Sequence, residues 1–163
     1  IGVNFNKFTA MKVQETEDTI IPKVMHSVLN LSLGILTIRP SETLEMNTII
    51  QSRFFLSNTT SAKTISLDGS VVASDDEGVT FTITLTELQR ADAIHLASTS
   101  GGDGTPILLD IEADGFRDRA KNPCVDLFGL TVEEQPDTIL PNITGANVFL
   151  DNCLLYTSDA ADE

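Results

Sequence analysis

The sequence predicts an all-β fold, an antiparallel β-sandwich of about seven strands with one short helical turn near residues 86–96. The first observation behind this prediction is the strict alternation of apolar and threonine side chains over residues 79–85. That alternation has the period of a half-buried antiparallel strand. The second observation is that other short alternating runs follow along the chain. The third is that turn signals rich in Asp, Asn and Gly separate these runs.

The first half of the unit contains three candidate strands, at residues 34–38, 53–57 and 64–67. The first of them is followed by Pro40, which cannot donate a ladder hydrogen bond and should end the strand. The third reads as one arm of a hairpin that turns at residues 68–69 and returns through residues 71–72. The side chains predicted to face the core are Leu36, Ile38, Phe54 and Leu56.

The second half contains the strand at residues 79–85, a helical turn, and two further strands at residues 107–113 and 128–132. Thr86 is the predicted cap of the helical turn, because a threonine side chain accepts a hydrogen bond from an exposed amide of the first turn. The side chains predicted to face the core are Val79, Phe81, Ile83, Leu85, Leu88, Ala91, Ile94, Ile107, Leu109, Ile111 and Ala113. Phe128, Leu130 and Val132 alternate along the last strand and end the unit.

An internal repeat sets the predicted domain boundaries. Residues 13–24 recur as residues 132–143, with six of twelve positions identical, among them Asp18, Thr19 and Ile20. On this basis residues 1–13 are the end of a preceding repeat, 14–132 one complete unit, and 133–152 the start of the next repeat. The Glu-rich, Pro-containing stretches at 14–22 and 133–141 are the predicted junctions.

The last eleven residues, 153–163, form a separate segment. They resemble the translation of a transposase-type sequencing-library adapter, and we expect them to be a non-native tail that takes no part in the fold. Leaving them out removes three acidic residues and Cys153. Cys124 is then the single cysteine of the remainder, so that part cannot form an internal disulfide.

Three short motifs resemble those of a known family. They are the stretch 34–38 followed by Ser41-Glu42-Thr43-Leu44, the turn at residues 86–88, and the closing stretch 118–122. Together they resemble the bacterial-type immunoglobulin-like tandem repeats of large extracellular proteins, over residues 20–132. Pro40 stands where that family has Phe, and Lys121 where it has Gly. The resemblance implies an immunoglobulin-like sandwich in a surface or secreted array of adhesive or spacer modules, without catalytic activity.

The charge and hydropathy of the chain exclude several function classes. The formal net charge is −14, from 10 Lys and Arg against 24 Asp and Glu. A chain this acidic is repelled by nucleic acid and by anionic membrane surfaces. No apolar run approaches the ~18–20 residues that a membrane span requires. We therefore expect no membrane span in this stretch, and the family resemblance implies an extracellular or cell-surface location.

Calcium is the metal that the sequence favours, at low affinity. Asp110, Glu112 and Asp114 alternate along a predicted strand and precede Gly115, which resembles the start of a calcium loop. Position twelve of an EF-hand would be Lys121, so an EF-hand does not fit. Two alternatives remain open: a solvated acidic face, or a weak calcium site completed by Asp118 or by the acidic loop at residues 75–77. No other cofactor is expected.

Asn30, Asn58 and Asn142 match the pattern for N-glycosylation. Asn58 lies in a predicted loop and is the best acceptor of the three, whereas Asn30 lies beside a predicted strand.

Two functions from different classes fit these observations. The favoured hypothesis is a non-catalytic structural or adhesive module whose partners are the neighbouring repeats. The alternative is a module that binds a carbohydrate or protein ligand and is appended to an extracellular enzyme. Carbohydrate platforms expose aromatic rings, and outside residues 153–163 the sequence offers no Trp or Tyr, so Phe55 or Phe116 would have to serve.

Overall fold

The structure is a computed structural model that describes residues 12–74 and 79–140, and it confirms the predicted all-β sandwich. Those residues form nine strands, one α-helix and two short 3-10 helices. The strands are β1 (Val24–Asn30), β2 (Ile35–Pro40), β3 (Phe54–Ser57), β4 (Ile65–Ser66), β5 (Val71–Ser74), β6 (Phe81–Thr84), β7 (Leu108–Ile111), β8 (Leu127–Thr131) and β9 (Glu133–Gln135). The α-helix is α1 (Glu87–Leu96), and the 3-10 helices are Met46–Thr48 and Gln51–Arg53.

The strands form two sheets. Sheet 1 has the order β5-β6-β2-β1-β9, and sheet 2 has the order β4-β3-β7-β8. All pairings are antiparallel except that of β9 with β1, which is parallel. The chain changes sheets after β2, after β4, through α1 and after β8.

The core lies between the two sheets and is centred on three phenylalanines. The Phe54 ring from sheet 2 meets the Phe81 ring from sheet 1 edge to face, with centroids 6.2 Å apart. Phe116, from the loop after β7, packs on the other side of Phe54 at 6.3 Å. The buried core cluster runs from Leu29 to Cys124, with Val132 as its last member. The domain therefore carries a complete core of its own.

The alternating strand β6 forms as predicted. Phe81, Ile83 and Leu85 are buried, while Val79 is only partly buried. The same period places Leu36 and Ile38 of β2, and Phe54 and Leu56 of β3, in the core. Sequence periodicity was sufficient here because these strands pack one face on the core and leave the other to solvent.

The predicted hairpin between residues 64–67 and 71–72 is wrong. β4 pairs with β3 in sheet 2, whereas β5 pairs with β6 in sheet 1. The turn at Asp68 and Gly69 therefore carries the chain across the sandwich. Gly69 has a φ of +78°, which glycine adopts without strain. An Asp-Gly pair favours a turn both in a hairpin and in a connection between two sheets, so the sequence did not distinguish the two.

The helical turn near residues 86–96 is confirmed as α1. Thr86 accepts a hydrogen bond from the Gln89 amide, and the Gln89 side chain accepts one from the Thr86 amide, a capping box. The predicted inward face is wrong at Leu88, which is 73% exposed. Gln89 is buried instead, because its amide group also donates to the carbonyls of Ser66 and Asp68 and ties the helix to the crossing turn.

The chain moves from sheet 2 to sheet 1 at a single residue between β8 and β9. Val132 separates β8 from β9, and its side chain is 4% exposed. β9 then lies parallel to the end of β1, with Leu29 opposite Glu134. The boundary between repeats at residue 132 stays a prediction, but residues 133–135 belong to the sheet of this domain. Residues 1–11 and 141–163, including the predicted adapter-derived tail, lie outside the described residues.

Replacing Phe54 with alanine tests the position of the core. We expect a loss of about 3–5 kcal/mol in the free energy of unfolding, measured by urea denaturation, since Phe54 bridges the sheets. The matched control is Leu88→Ala on the exposed face of α1, which should change stability by less than about 0.5 kcal/mol. Equal, small losses in both variants would contradict the sandwich core described above.

Candidate functional site at the two ends of the sandwich

Two sequence motifs meet at the end of the sandwich where β1 begins, which we call the leading end. The stretch after β2 and the stretch before β8 run antiparallel here, with Leu44 bridged to Asp118. The Glu45 amide donates to the Arg117 carbonyl at 2.9 Å, and the Arg119 amide to the Thr43 carbonyl at 3.3 Å. The opening and closing motifs of the family resemblance are therefore neighbours in space.

The closing motif forms a tight turn despite the lysine in it. Asp118 accepts hydrogen bonds at 2.8 Å from both the backbone and the side-chain amide of Asn122. Lys121 has a φ of +72°, a left-handed conformation that costs a lysine more than a glycine. The turn therefore forms although Lys121 stands where the family has Gly, and the hydrogen bonds of Asp118 offset the strain at Lys121.

Three carboxylates converge at the leading end. Asp18, Glu42 and Asp118 each offer an oxygen within 4.8 Å of the others, the one such group of three among residues 12–74 and 79–140. Asp118 is 1% exposed, and the Oε1 atom of Glu42 is buried without a hydrogen-bond partner. Burial, and then the charges of Asp118 and Asp18, raise the pKa of Glu42. These are oxygen ligands of the kind that calcium takes, held close against their mutual repulsion.

A groove adjoins this cluster, and we call it the leading groove. It has a volume of about 520 Å³ and is lined mainly by Ile21, Ala113, Pro123, Cys124 and Val125. Ile21 is 42% exposed and Val125 47% exposed, so both present apolar surface there. Cys124 is buried, and burial raises the pKa of its thiol.

The predicted acidic face does not exist at Asp110, which is fully buried. The expectation failed because β8 has a bulge: Phe128 and Gly129 together oppose Asp110 in the β7–β8 register. Gly129 has a φ of +71°, and its amide donates to Asp110 Oδ1 at 2.7 Å. The Ser57 hydroxyl donates to Oδ2 at 3.2 Å. The carboxylate thus satisfies the amide that the bulge leaves outside the ladder.

The other predicted calcium ligands are also engaged by protein groups. Glu112 forms an ion pair with Lys63, and Asp114 forms one with Arg117 at 2.8 Å. Of the four residues predicted from sequence, Asp118 alone belongs to the three-carboxylate group. The acidic loop at residues 75–77 lies outside the described residues. Calcium binding stays a prediction, and the geometry favours a different ligand set, Asp18, Glu42 and Asp118.

The two described glycosylation candidates differ in their surroundings. Asn58 follows β3 in a turn, and its side chain donates to Asp103 at 2.6 Å. Asn30 ends β1, and its Nδ2 atom donates to Gln135 of β9 at 2.9 Å. In both residues the Nδ2 atom, to which a glycan would attach, makes one of these contacts, so glycosylation stays a prediction for each. Asn142 lies outside the described residues.

The two aromatic rings considered for sugar binding are not exposed platforms. Phe116 is fully buried in the core. Phe55 is half-buried on the outer face of β3, and the Lys63 ammonium lies 5.5 Å from its ring centroid and 5.6 Å from that of Phe128. A lysine over both rings covers the surface on which a sugar would stack.

The opposite end of the sandwich, where β1 ends, we call the trailing end. Glu134 of β9 anchors the chain there: one carboxylate oxygen accepts from the Ile107 amide at 2.6 Å, and the other accepts from the amide and hydroxyl of Ser98. The Leu31 amide donates to the Gln135 carbonyl at 3.0 Å. β9 is therefore held by side-chain as well as ladder hydrogen bonds.

Beyond β9 the chain remains bound to the trailing end. Arg90 of α1 donates to Asp137 at 3.0 Å, to the Leu31 carbonyl and to Glu87. The Thr138 amide donates to the Ser32 hydroxyl at 2.9 Å. Hydrogen bonds from the Ile139 amide and from Arg90 lower the pKa of Asp137. The internal repeat includes the residues that make these contacts, but the repeat boundary at residue 132 placed them in the next unit.

Comparison with solved structures finds matches to parts of S-layer protein SbsC. A crystal structure of a long fragment matches with a TM-score of 0.46 and 15% identity, over 70% of this chain and 14% of that chain. A structure of domains 1–6 gives a TM-score of 0.45 and 15% identity, covering 71% and 14%. The N-terminal part of this bacterial protein gives 0.46 and 16%, covering 70% and 24%. This chain thus spans less than a quarter of each of those chains.

No protein-family model and no curated protein sequence matches the chain. A search of the described residues for a helix long and apolar enough to span a membrane found none.

Replacing Asp110 with asparagine tests whether this carboxylate is structural. The Ser57 hydroxyl keeps the Thr59 carbonyl as an acceptor at 3.0 Å, but the Gly129 amide exchanges a charged acceptor for a neutral one. We therefore expect a loss of about 1–2 kcal/mol in urea denaturation, since hydrogen bonds to charged groups are the stronger ones. Glu112→Gln is the control, since its partly exposed ion pair should contribute less than about 1 kcal/mol. Unchanged stability of Asp110→Asn, combined with loss of a calcium response, would show instead that Asp110 is a metal ligand.

Proposed function

We propose that this domain is a non-catalytic structural or adhesive module of a tandem-repeat protein at the cell surface or outside the cell. The observation that carries the proposal is the path of the chain. It reaches β1 at the leading end, and β9, parallel to β1, directs it away from the trailing end. The chain therefore leaves such a module in the same direction as it enters.

The length of β1 sets the spacing between the two ends. Seven residues at about 3.3 Å per residue give a separation of roughly 20 Å between the arriving and the departing chain. A chain that returned beside its starting point would fold successive units side by side. Ends at opposite poles favour units joined end to end as a rod.

The surroundings of the cysteine and of the carboxylates near β7 support a structural role over a catalytic one. Cys124, the one cysteine among the described residues, is buried with a raised thiol pKa, which disfavours the reactive thiolate. The carboxylates along β7 are engaged by protein groups. The high negative charge keeps such units soluble and separate. Extracellular placement rests on the family resemblance.

A two-unit chain tests the array. Residues 12–141 followed directly by residues 23–140 keep the natural junction, because Pro141 corresponds to Pro22 in the repeat. Small-angle X-ray scattering should give a maximum dimension close to twice that of one unit, because the second unit starts at the opposite pole of the first. The single domain, residues 12–140, is the reference. A compact particle with the units side by side would contradict the proposed function.

Calcium binding at the leading end is a second candidate function, supported by the partnerless Oε1 atom of Glu42. That atom is buried beside two further carboxylates, and a cation there would satisfy it. Asp18, Glu42 and Asp118 would hold the ion through carboxylate oxygens, which calcium prefers. The ion would tie the arriving chain to the sandwich, because Asp18 belongs to the junction.

Thermal and chemical denaturation with calcium and with chelator tests this candidate. At ~10 mM calcium, a dissociation constant of about 0.1–1 mM gives a stabilisation of about 1–3 kcal/mol. Glu42→Gln should greatly reduce that stabilisation, whereas Glu45→Gln, in the same loop but outside the group, should retain it. A free energy of unfolding that calcium does not change would eliminate the metal site.

The same variant has a pH signature without metal. Because the folded pKa of Glu42 is raised, its ionised form destabilises the fold, and this penalty is relieved as the pH falls through the folded pKa towards 4.5. In chelator, Glu42→Gln should be more stable than the parent protein near pH 7, and the difference should vanish at acid pH.

A further inference from the structure

The chain contains two copies of the same junction, seen in two different settings. Residues 13–24 approach a domain at its leading end, and residues 132–140 leave the same domain at its trailing end. In a continuous array each junction does both, since it leaves one unit and approaches the next. The two copies therefore show the two halves of a single set of contacts.

The departing copy shows the contacts with the preceding unit. Val132 is 4% exposed, whereas the equivalent Val13 in the arriving copy is 77% exposed. Glu134 makes three hydrogen bonds, whereas the equivalent Glu15 is exposed at the surface. The first half of the junction therefore has its binding site on the unit before it.

The arriving copy shows the contacts with the following unit. Ile21 lines the leading groove, whereas the equivalent Leu140 is 85% exposed. Pro22 is buried, and the Lys23 amide donates to the Ser41 hydroxyl at 3.0 Å. The Asp18 carbonyl accepts from the Asn122 side chain at 3.1 Å. The second half of the junction therefore has its binding site on the unit after it.

The aspartate at the centre of the junction joins the two halves. Its local turn is the same in both copies: Asp18 accepts from the Ile20 amide at 3.0 Å, and Asp137 from the Ile139 amide at 2.9 Å. One copy of this aspartate meets Arg90 of the preceding unit, and the other lies with Glu42 and Asp118 of the following unit. The shared turn makes the two sets of contacts compatible in one segment.

We propose, building on the proposed function, that the junction is a two-sided clamp that fixes the orientation of consecutive units. Residues 132–138 bind the preceding unit through β9, Glu134 and Arg90. Leu140 takes the place that Ile21 has here, in the wall of the leading groove of the following unit. The junction aspartate, Asp137, pairs with Arg90 of the preceding unit and lies beside Glu42 and Asp118 of the following unit. The positive charge of Arg90 therefore offsets the repulsion among these three carboxylates. The partner of both ends of this domain is thus another repeat of the same chain.

Nuclear magnetic resonance of the two-unit chain tests the clamp. Apart from Val132, the core cluster of each unit lies within residues 29–124, which both units of this chain contain in full. We expect residual dipolar couplings from both units to fit one alignment tensor, and their rotational correlation times to agree. Different tensors and faster tumbling in the parent chain would overturn the clamp.

Variants in the first unit and the junction locate the contacts. Leu140→Ser removes the apolar side chain from the groove of the second unit, and Arg90→Gln in the first unit removes the ion pair with Asp137. Each should separate the two alignment tensors and lower the correlation times towards that of a single unit. Leu88→Ser and Arg39→Gln in the first unit are the matched controls, since both are exposed and lie away from the junction.

The outcomes separate this inference from the function on which it rests. If the particle is extended but its units tumble independently, the end-to-end array stands and the clamp is wrong. A compact particle overturns both. Common tensors that persist in Leu140→Ser and in Arg90→Gln also overturn the clamp, because the orientation would then be fixed elsewhere. The same measurements with chelator should leave the parent tensors in agreement, since the clamp depends on Arg90 and Leu140.

Discussion

The position of β9 beside β1 constrains where the chain enters and leaves this domain. A strand that pairs parallel to the first strand must end near the end of that strand, so the chain leaves the sandwich at the pole opposite to its arrival. The pairing is short, three residues, and Glu134 supports it by accepting hydrogen bonds from the loop before β7. The proposed end-to-end array and the proposed two-sided junction both depend on this pairing.

The sequence predicted the interior strands well because they expose one face. Phe81, Ile83 and Leu36 follow the period of two that such strands require. The period of two failed where a side chain, and not the backbone of the neighbouring strand, accepts the hydrogen bond of a backbone amide. Asp110 reads as a solvent-facing residue by period, yet it is buried because the bulge at Gly129 leaves an amide for it to accept from. The position of β9 was not predicted, since Glu, Glu and Gln carry no hydrophobic signal.

The candidate sites were predicted less well, because their residues come from distant parts of the chain. Asp118 was selected as an acidic residue in a closing turn, and it does belong to the three-carboxylate group. Asp18 and Glu42 were not selected as ligands, since no local spacing links them to Asp118. The repeat held the missing signal for Asp18, because that residue is identical in both copies. Only the fold shows that Asp18 lies beside Glu42 and Asp118.

Amide hydrogen exchange at Leu31 tests the central claim most directly. Its amide donates to the Gln135 carbonyl, so its protection reports whether the chain returns beside β1. Exchange as slow as that of the β1–β2 ladder amides is the expected result, with the turn amide of Ala62 as the rapidly exchanging reference. Exchange at Leu31 as fast as at Ala62, with the ladder still protected, would show that β9 does not pair there and would contradict the account.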